Sequence, residues 1–302
     1  MSEMNCLARK PQSGADVRWD VAIVLALISQ AVYENAPEQT RRIKRLGANN
    51  VTPLSKETSE GVVASDASSV VIAFRGTKGL RDIVTDVRVF GTSMDGGSVH
   101  GGFAQSIVRL YDDVLHAAKK HGAPGKAIWI TGHSLGGAMA AGFAYRVITQ
   151  LSMKRPAGIY TFGQPLVMSE VPAQEMLNVF QGNYVRFVNN YDWISRLMPP
   201  YRHSGARVHL KEDSYSIRSP RTSYSASVDS QDSPQWLYED GDDEELPLMS
   251  DEEISSNEAA ANATPTQTPT AASGELVTGF SLDPFTSHYM AGYIDHLRRH
   301  SK

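Results

Sequence analysis

A single cysteine, Cys6, stands among 302 residues, so no internal disulfide framework can hold this fold. That scarcity fits a reducing compartment, and a cytoplasmic protein is the expectation, with secretion by a non-standard route left open. No signal-peptide pattern opens the chain: the first apolar run, Val21 to Ile28, follows several charged residues and lacks a small-residue cleavage site. Spanning a bilayer takes roughly 20 apolar residues, more than this run supplies. No His/Cys/Asp group has metal-site spacing, and no Gly-rich phosphate cradle follows a strand, so neither metal nor cofactor is expected. A nucleic-acid partner is not expected either.

Net charge is small overall but not locally. The net charge of −4 hides a segment from Lys211 to Glu275 with 15 acidic and 3 basic residues. The remainder is mildly basic. The acidic segment is rich in Ser, Thr, Pro and Ala, with Thr264-Pro265-Thr266-Gln267-Thr268-Pro269-Thr270 as its extreme. Such a composition cannot bury enough apolar surface to offset chain ordering, so disorder is expected there. The chain divides into a flexible N-terminus at 1–15, a core at 16–210, a disordered acidic insertion at 211–275 and a C-terminal core segment at 276–302. Protein partners of the insertion are not legible.

Apolar spacing predicts a helix over Asp16 to Asn35 and another over Phe103 to His121, ending at Gly122. Ser69-Val70-Val71-Ile72-Ala73-Phe74 and Ala127 to Thr131 read as strands, as do Gly158–Phe162 and Tyr184–Val188. Helices fall at Leu135 to Leu151, Val171–Phe180 and Ser287 to Arg299. Strands alternating with helices imply an α/β fold, a mainly parallel sheet covered on both faces.

The most informative stretch is Ile128-Trp129-Ile130-Thr131-Gly132-His133-Ser134-Leu135-Gly136-Gly137-Ala138. It reads as a buried strand, then Gly-x-Ser-x-Gly, then a small-residue helix start. A serine on such a sharp turn needs glycine neighbours, because the backbone is strained and the helix packs close to the strand. The pattern alone arises by chance ~0.2 times in a chain of this composition, so its context carries the reading. An activated serine needs a base, and the base needs a carboxylate to fix its tautomer. Asp192 follows the Tyr184–Val188 strand, in a loop at a strand's carboxyl end where α/β sites lie. His288 stands at the beginning of the last helix. Ser134, Asp192, His288 is the chain order of α/β-hydrolases.

Several further segments resemble the class 3, or fungal-type, lipase family. They are Val71-Ile72-Ala73-Phe74-Arg75-Gly76-Thr77, Val99-His100-Gly101-Gly102-Phe103, the elbow itself, Tyr160-Thr161-Phe162-Gly163-Gln164-Pro165 and Arg186-Phe187-Val188-Asn189-Asn190-Tyr191-Asp192. The resemblance covers about residues 20 to 210 and 276 to 297. It implies an α/β-hydrolase fold with Ser134 as nucleophile, Asp192 as orienting acid and His288 as base. Backbone N–H groups of Thr77 and Leu135 become oxyanion donors, with the Thr77 hydroxyl as a third, and Asp86 holds the oxyanion loop. His100 and His133 fall on positions the family uses structurally. His203, close after Asp192, is the main rival base, while His296 and His300 read as exposed helix-end residues.

Leu80, Ile83, Val84 and Val87 are spaced i, i+3, i+4, i+7 and form an amphipathic stretch. In the resembling family a short lid follows the oxyanion loop, and a fixed helix packed on the core is the alternative reading here. Ile83 stands where relatives usually carry tryptophan, and Met168 where they carry glycine. The implied activity is hydrolysis of lipid carboxylic esters, with transient lipid-surface contact. Phospholipase A1, a soluble short-chain carboxylesterase and a catalytically silent binding module on the same fold remain alternatives.

Overall fold

Strand residues apolar on both sides need cover on both faces. The Ser69–Phe74 strand shows the consequence: Val70, Ile72 and Phe74 join one buried cluster, while Val71 and Ala73 join another. The protein's structure, a computed structural model, describes residues 2–8, 17–76, 94–95, 99–190, 192–197, 201–218 and 289–301.

In chain order, α1 (Trp19–Ala31) and α2 (Ala36–Arg45) precede β1 (Asn50–Lys56), β2 (Ser59–Ser65) and β3 (Ser69–Phe74). The short strands β4 (Met94–Asp95) and β5 (Val99–His100) pair with each other and lead into α3 (Gly101–Lys120). Then come β6 (Ala127–His133), α4 (Leu135–Gln150), β7 (Gly158–Phe162), α5 (Glu170–Phe180) and β8 (Tyr184–Asn189). β9 (Ala206–Leu210), β10 (Tyr215–Arg218) and α6 (Met290–His300) complete the described elements.

The main sheet has the order β1-β2-β3-β6-β7-β8-β9-β10. Its five central strands, β3 to β9 in that order, run parallel, and antiparallel strands flank them on both sides. α3, α4 and α5 cover one face through residues such as Leu110, Phe143 and Met176. α1, α2 and α6 cover the other through Leu25, Ile43 and Leu297. This is the expected α/β architecture. Among the described residues no helix is long and apolar enough to cross a membrane.

Two expectations from composition change. The N-terminal residues read as frayed include a 3-10 turn, Glu3–Ala8, whose Met4 and Leu7 are fully buried. The Trp129 indole donates to the Leu7 carbonyl at 2.9 Å, Arg18 Nη2 donates to the Cys6 carbonyl at 2.9 Å and the Met4 N–H donates to Leu46 O at 3.1 Å, so buried side chains and backbone hydrogen bonds together tie the segment down. At the other end, residues 211–218 were placed in the insertion, but Tyr215–Arg218 pairs antiparallel with β9. An edge strand needs only one neighbour's backbone groups, which is why its polar, half-exposed sequence did not announce it. The insertion from 219 onward lies outside the described residues.

Candidate active site

The parallel strands end together at one rim, and the candidate residues lie along it. β6 ends at His133, and the next residue, Ser134, takes φ 58° and ψ −131° before α4 begins. A non-glycine residue held there costs roughly 1–3 kcal/mol, which the packing around it must offset. The glycines explain how. A β-carbon at Gly132 would stand 2.2 Å from the Gly136 carbonyl oxygen, and one at Gly136 would stand 2.3 Å from the Phe74 carbonyl oxygen. Only hydrogen fits at either place, so β6, α4 and the end of β3 approach at backbone distance.

The Ser134 side chain does not cap α4, and its buried Oγ has no hydrogen-bond partner among the described residues. Instead the backbone anchors the residue: its N–H donates to Phe162 O at 2.9 Å, and its carbonyl accepts from Gly137 N at 2.9 Å. Leu135 and Gly136 occupy the first helical turn, where N–H groups lack intrahelical acceptors. The chain leaving β3 comes to this same place. A β-carbon at Gly76 would lie 3.2 Å from Gly136 N, 2.6 Å from His133 O and 2.5 Å from the Tyr33 hydroxyl. Arg75, one residue earlier, pairs with Glu60 of β2 and roots this loop in the sheet.

Asp192 is buried beyond β8. Its Oδ1 accepts from the N–H of Ile194 at 3.0 Å, and its Oδ2 accepts from the Tyr293 hydroxyl at 2.5 Å. Ser195 Oγ donates to the Asp192 carbonyl at 2.9 Å, which fixes the short 3-10 turn Trp193–Arg196. Tyr293 is also fully buried and lies against the Asp192 charge, so its hydroxyl is held well above the ordinary tyrosine range.

His133 points away from a catalytic use: its Nδ1 lies 3.0 Å from the Tyr33 hydroxyl, and its ring packs edge-on to Tyr33 and Tyr293. Burial pushes the Tyr33 phenol up as well. His203 gives Nε2 to the Ser195 carbonyl at 2.7 Å, and burial together with Arg186 and Arg207 pushes its pKa well below the usual imidazole value. His296 differs from its expected exposure. It faces the core side of α6, and burial, reinforced by Arg299 and His300, lowers it to about 4. Met168 is fully buried and bridges Arg202 through backbone bonds.

His133, Ser134 and Leu135 are consecutive at the elbow, Gly76 packs against it as the nearest described neighbour of Thr77, and Asp192 is linked to His133 through the Tyr293 side chain. His288, Thr77, Asp86, Leu80, Ile83, Val84 and Val87 lie outside the described residues. Sequence reasoning missed Tyr33, Tyr293 and Gln164. Gln164 Oε1 accepts from Thr161 and Tyr184 at 2.8 and 2.7 Å, bracing the loop after β7. The Gly163-Gln164-Pro165 segment was one signal available for it. No local pattern marks the two tyrosines.

Residues 71–202 match the family model for class 3 lipases. A lipase of Rhizopus oryzae is 35% identical over 126 residues, covering 38% of this chain and 32% of that protein. A secreted mono- and diacylglycerol lipase of Penicillium cyclopium is 30% identical over 207 residues, covering 65% of this chain and 63% of the relative. The chain therefore spans about a third of the Rhizopus protein's length. Among solved structures, a triacylglycerol lipase superposes with a TM-score of 0.55 at 21% identity, covering 66% of this chain and 83% of that one. The shared fold is the α/β-hydrolase fold. The expectation of a cytoplasmic location does not stand, because the Penicillium relative is named as secreted. A core of this size holds without disulfides, so a missing cysteine framework says little about compartment.

Proposed function

We propose that this chain, whose residues 71–202 match the family model for class 3 lipases, is a member of that family and hydrolyses lipid carboxylic esters through an acyl-enzyme on Ser134. Acylglycerols are the substrate class, in keeping with relatives named as mono- and diacylglycerol lipases. The observation that carries the reading is Ser134 itself: a strained residue whose buried hydroxyl has no partner among the described residues, set between a strand and the open N-terminus of a helix. Strain and an unsatisfied hydroxyl both cost stability, and a purely structural serine would shed them.

In the proposed reaction His288 takes the Ser134 proton as Oγ attacks the ester carbonyl. The oxyanion is held by backbone N–H groups of Leu135 and Thr77, each worth about 3 kcal/mol in comparable sites. Asp86 steadies the loop that carries Thr77. Collapse of the tetrahedral intermediate expels the alcohol, which takes the proton from His288. Water then attacks the acyl group, giving its proton to His288, which passes it to Ser134 Oγ as the fatty acid leaves. Asp192 keeps the imidazole in the required tautomer throughout. Gly76, packed against Gly136 N, supports this placement of the oxyanion loop.

A fluorophosphonate probe tests the reading. The protein labels at Ser134, and Ser134→Ala does not. A native protein that stays unlabelled while folded would overturn the assignment and leave a binding module.

A further inference from the structure

Tyr293 has one proton to give, and the structure shows where it goes. The backbone N–H of Asn189 donates to the Tyr293 oxygen at 3.0 Å, so that oxygen is already an acceptor. The phenolic proton is therefore committed to Asp192 Oδ2, 2.5 Å away. The ring cannot swing, because it sits edge-on between Phe162, at 6.0 Å, and His133, at 6.1 Å. Tyr293 lies in the first turn of α6, while Asp192 follows β8, so the bond crosses from helix to sheet rim.

Building on the proposed function, we infer that Tyr293 is a positioning residue for the acid of the triad: its phenol fixes the rotamer of Asp192 and withdraws part of its charge. A carboxylate this deeply buried depends on donors rather than water for its solvation. Ile194 N–H holds Oδ1 and the phenol holds Oδ2. Two donors on different elements set the plane of the carboxylate, and with it the lone pairs left for an imidazole. A strong O–H donor also lowers the carboxylate's pull on the imidazolium proton. The titratable groups that face the phenol are Asp192 and His133; Asp192 also accepts from the Ile194 N–H at Oδ1 and from Ser195 Oγ at its carbonyl.

The test is Tyr293→Phe, which keeps the ring and removes the hydroxyl. On a soluble p-nitrophenyl ester, kcat falls ~10- to 100-fold with KM within about twofold, the pattern of an interaction made in the transition state. The acid limb of the kcat/KM profile moves to higher pH, because the freed carboxylate binds the imidazolium more tightly. Site-specific 3-fluorotyrosine at position 293, a stronger donor that keeps both hydrogen bonds, moves the same limb to lower pH. If Tyr293→Phe does not fold, the fluorotyrosine shift alone decides. An unchanged limb in the fluorotyrosine protein, or a folded Tyr293→Phe with unaltered kcat and limb, overturns the inference. Failure of the function itself reads differently, as absent fluorophosphonate labelling in the unmodified protein.

Discussion

The hydroxyl of Tyr33, near the end of α1, lies 3.0 Å from Nδ1 of His133 at the end of β6, and the Gly76 backbone packs on the same oxygen. One phenol thus joins the helix on the far face of the sheet to both sides of the elbow. Tyr33→Phe removes that junction while keeping the ring. It lowers stability by about 1 kcal/mol, the worth of one buried hydrogen bond. It also slows fluorophosphonate labelling about tenfold, because the loop leading to Thr77 loses its anchor. Labelling and thermal unfolding measured side by side check both parts.

The glycines around the elbow form a graded series. Gly132→Ala and Gly136→Ala force a β-carbon to 2.2 and 2.3 Å from backbone oxygens, which cannot yield as a side chain does. Both lose more than ~3 kcal/mol or fail to fold. Gly137→Ala meets Gln164 Cβ at 3.0 Å and the Gly132 carbonyl oxygen at 3.3 Å, looser contacts than those at Gly132 and Gly136, and is milder. Gly125→Ala meets nothing within 4 Å and stays within ~0.5 kcal/mol of the parent in a urea titration.

Ser134→Ala is expected to raise stability while abolishing labelling. The buried Oγ has no partner among the described residues, and removing it relieves ~1 kcal/mol or more of desolvation. For a chain of this size that is a Tm rise of roughly 2–4 °C by calorimetry. An unchanged or lower Tm would mean the hydroxyl is satisfied after all.

Acid weakens this fold through α6. His296 titrates at about 4 in the folded protein, against 6.5 as its ordinary value, because burial disfavours the charged ring. The folded state then binds fewer protons than the unfolded state between those values. Its full stability holds above pH 6.5 and is lost as pH falls through 4, by up to ~3 kcal/mol for this group. His203, lowered in the same direction, adds to the loss. In urea titrations from pH 7 to 4, His296→Gln flattens the decline.

Where local pattern sufficed, the elements were legible. β3, β6, β7 and β8 are short runs rich in apolar and β-branched residues, and their observed limits fall within two residues of expectation. β1 and β2 went unread because β1 is largely exposed, contains Pro53 and lacks an apolar alternation. α2 is almost wholly polar on the outside. Its signal was Asn35, whose side chain accepts from Glu38 N at 3.1 Å, followed by proline in the first turn. Asp192 was found from its place after a strand, whereas its partner Tyr293 lies 101 residues away in sequence.

The amino-acid order alone determined the strand, elbow and helix around Ser134, since steric demands on Gly132, Ser134 and Gly136 act within five residues. It also set the succession of Ser134 and Asp192 along the chain. Which hydroxyls meet His133 and Asp192 was decided only by the tertiary structure. Tyr33 and Tyr293 reach the rim because α1 and α6 dock side by side under the sheet. Such docking follows from buried area, which is non-directional, and periodicity carries no record of which polar tip will meet which acceptor.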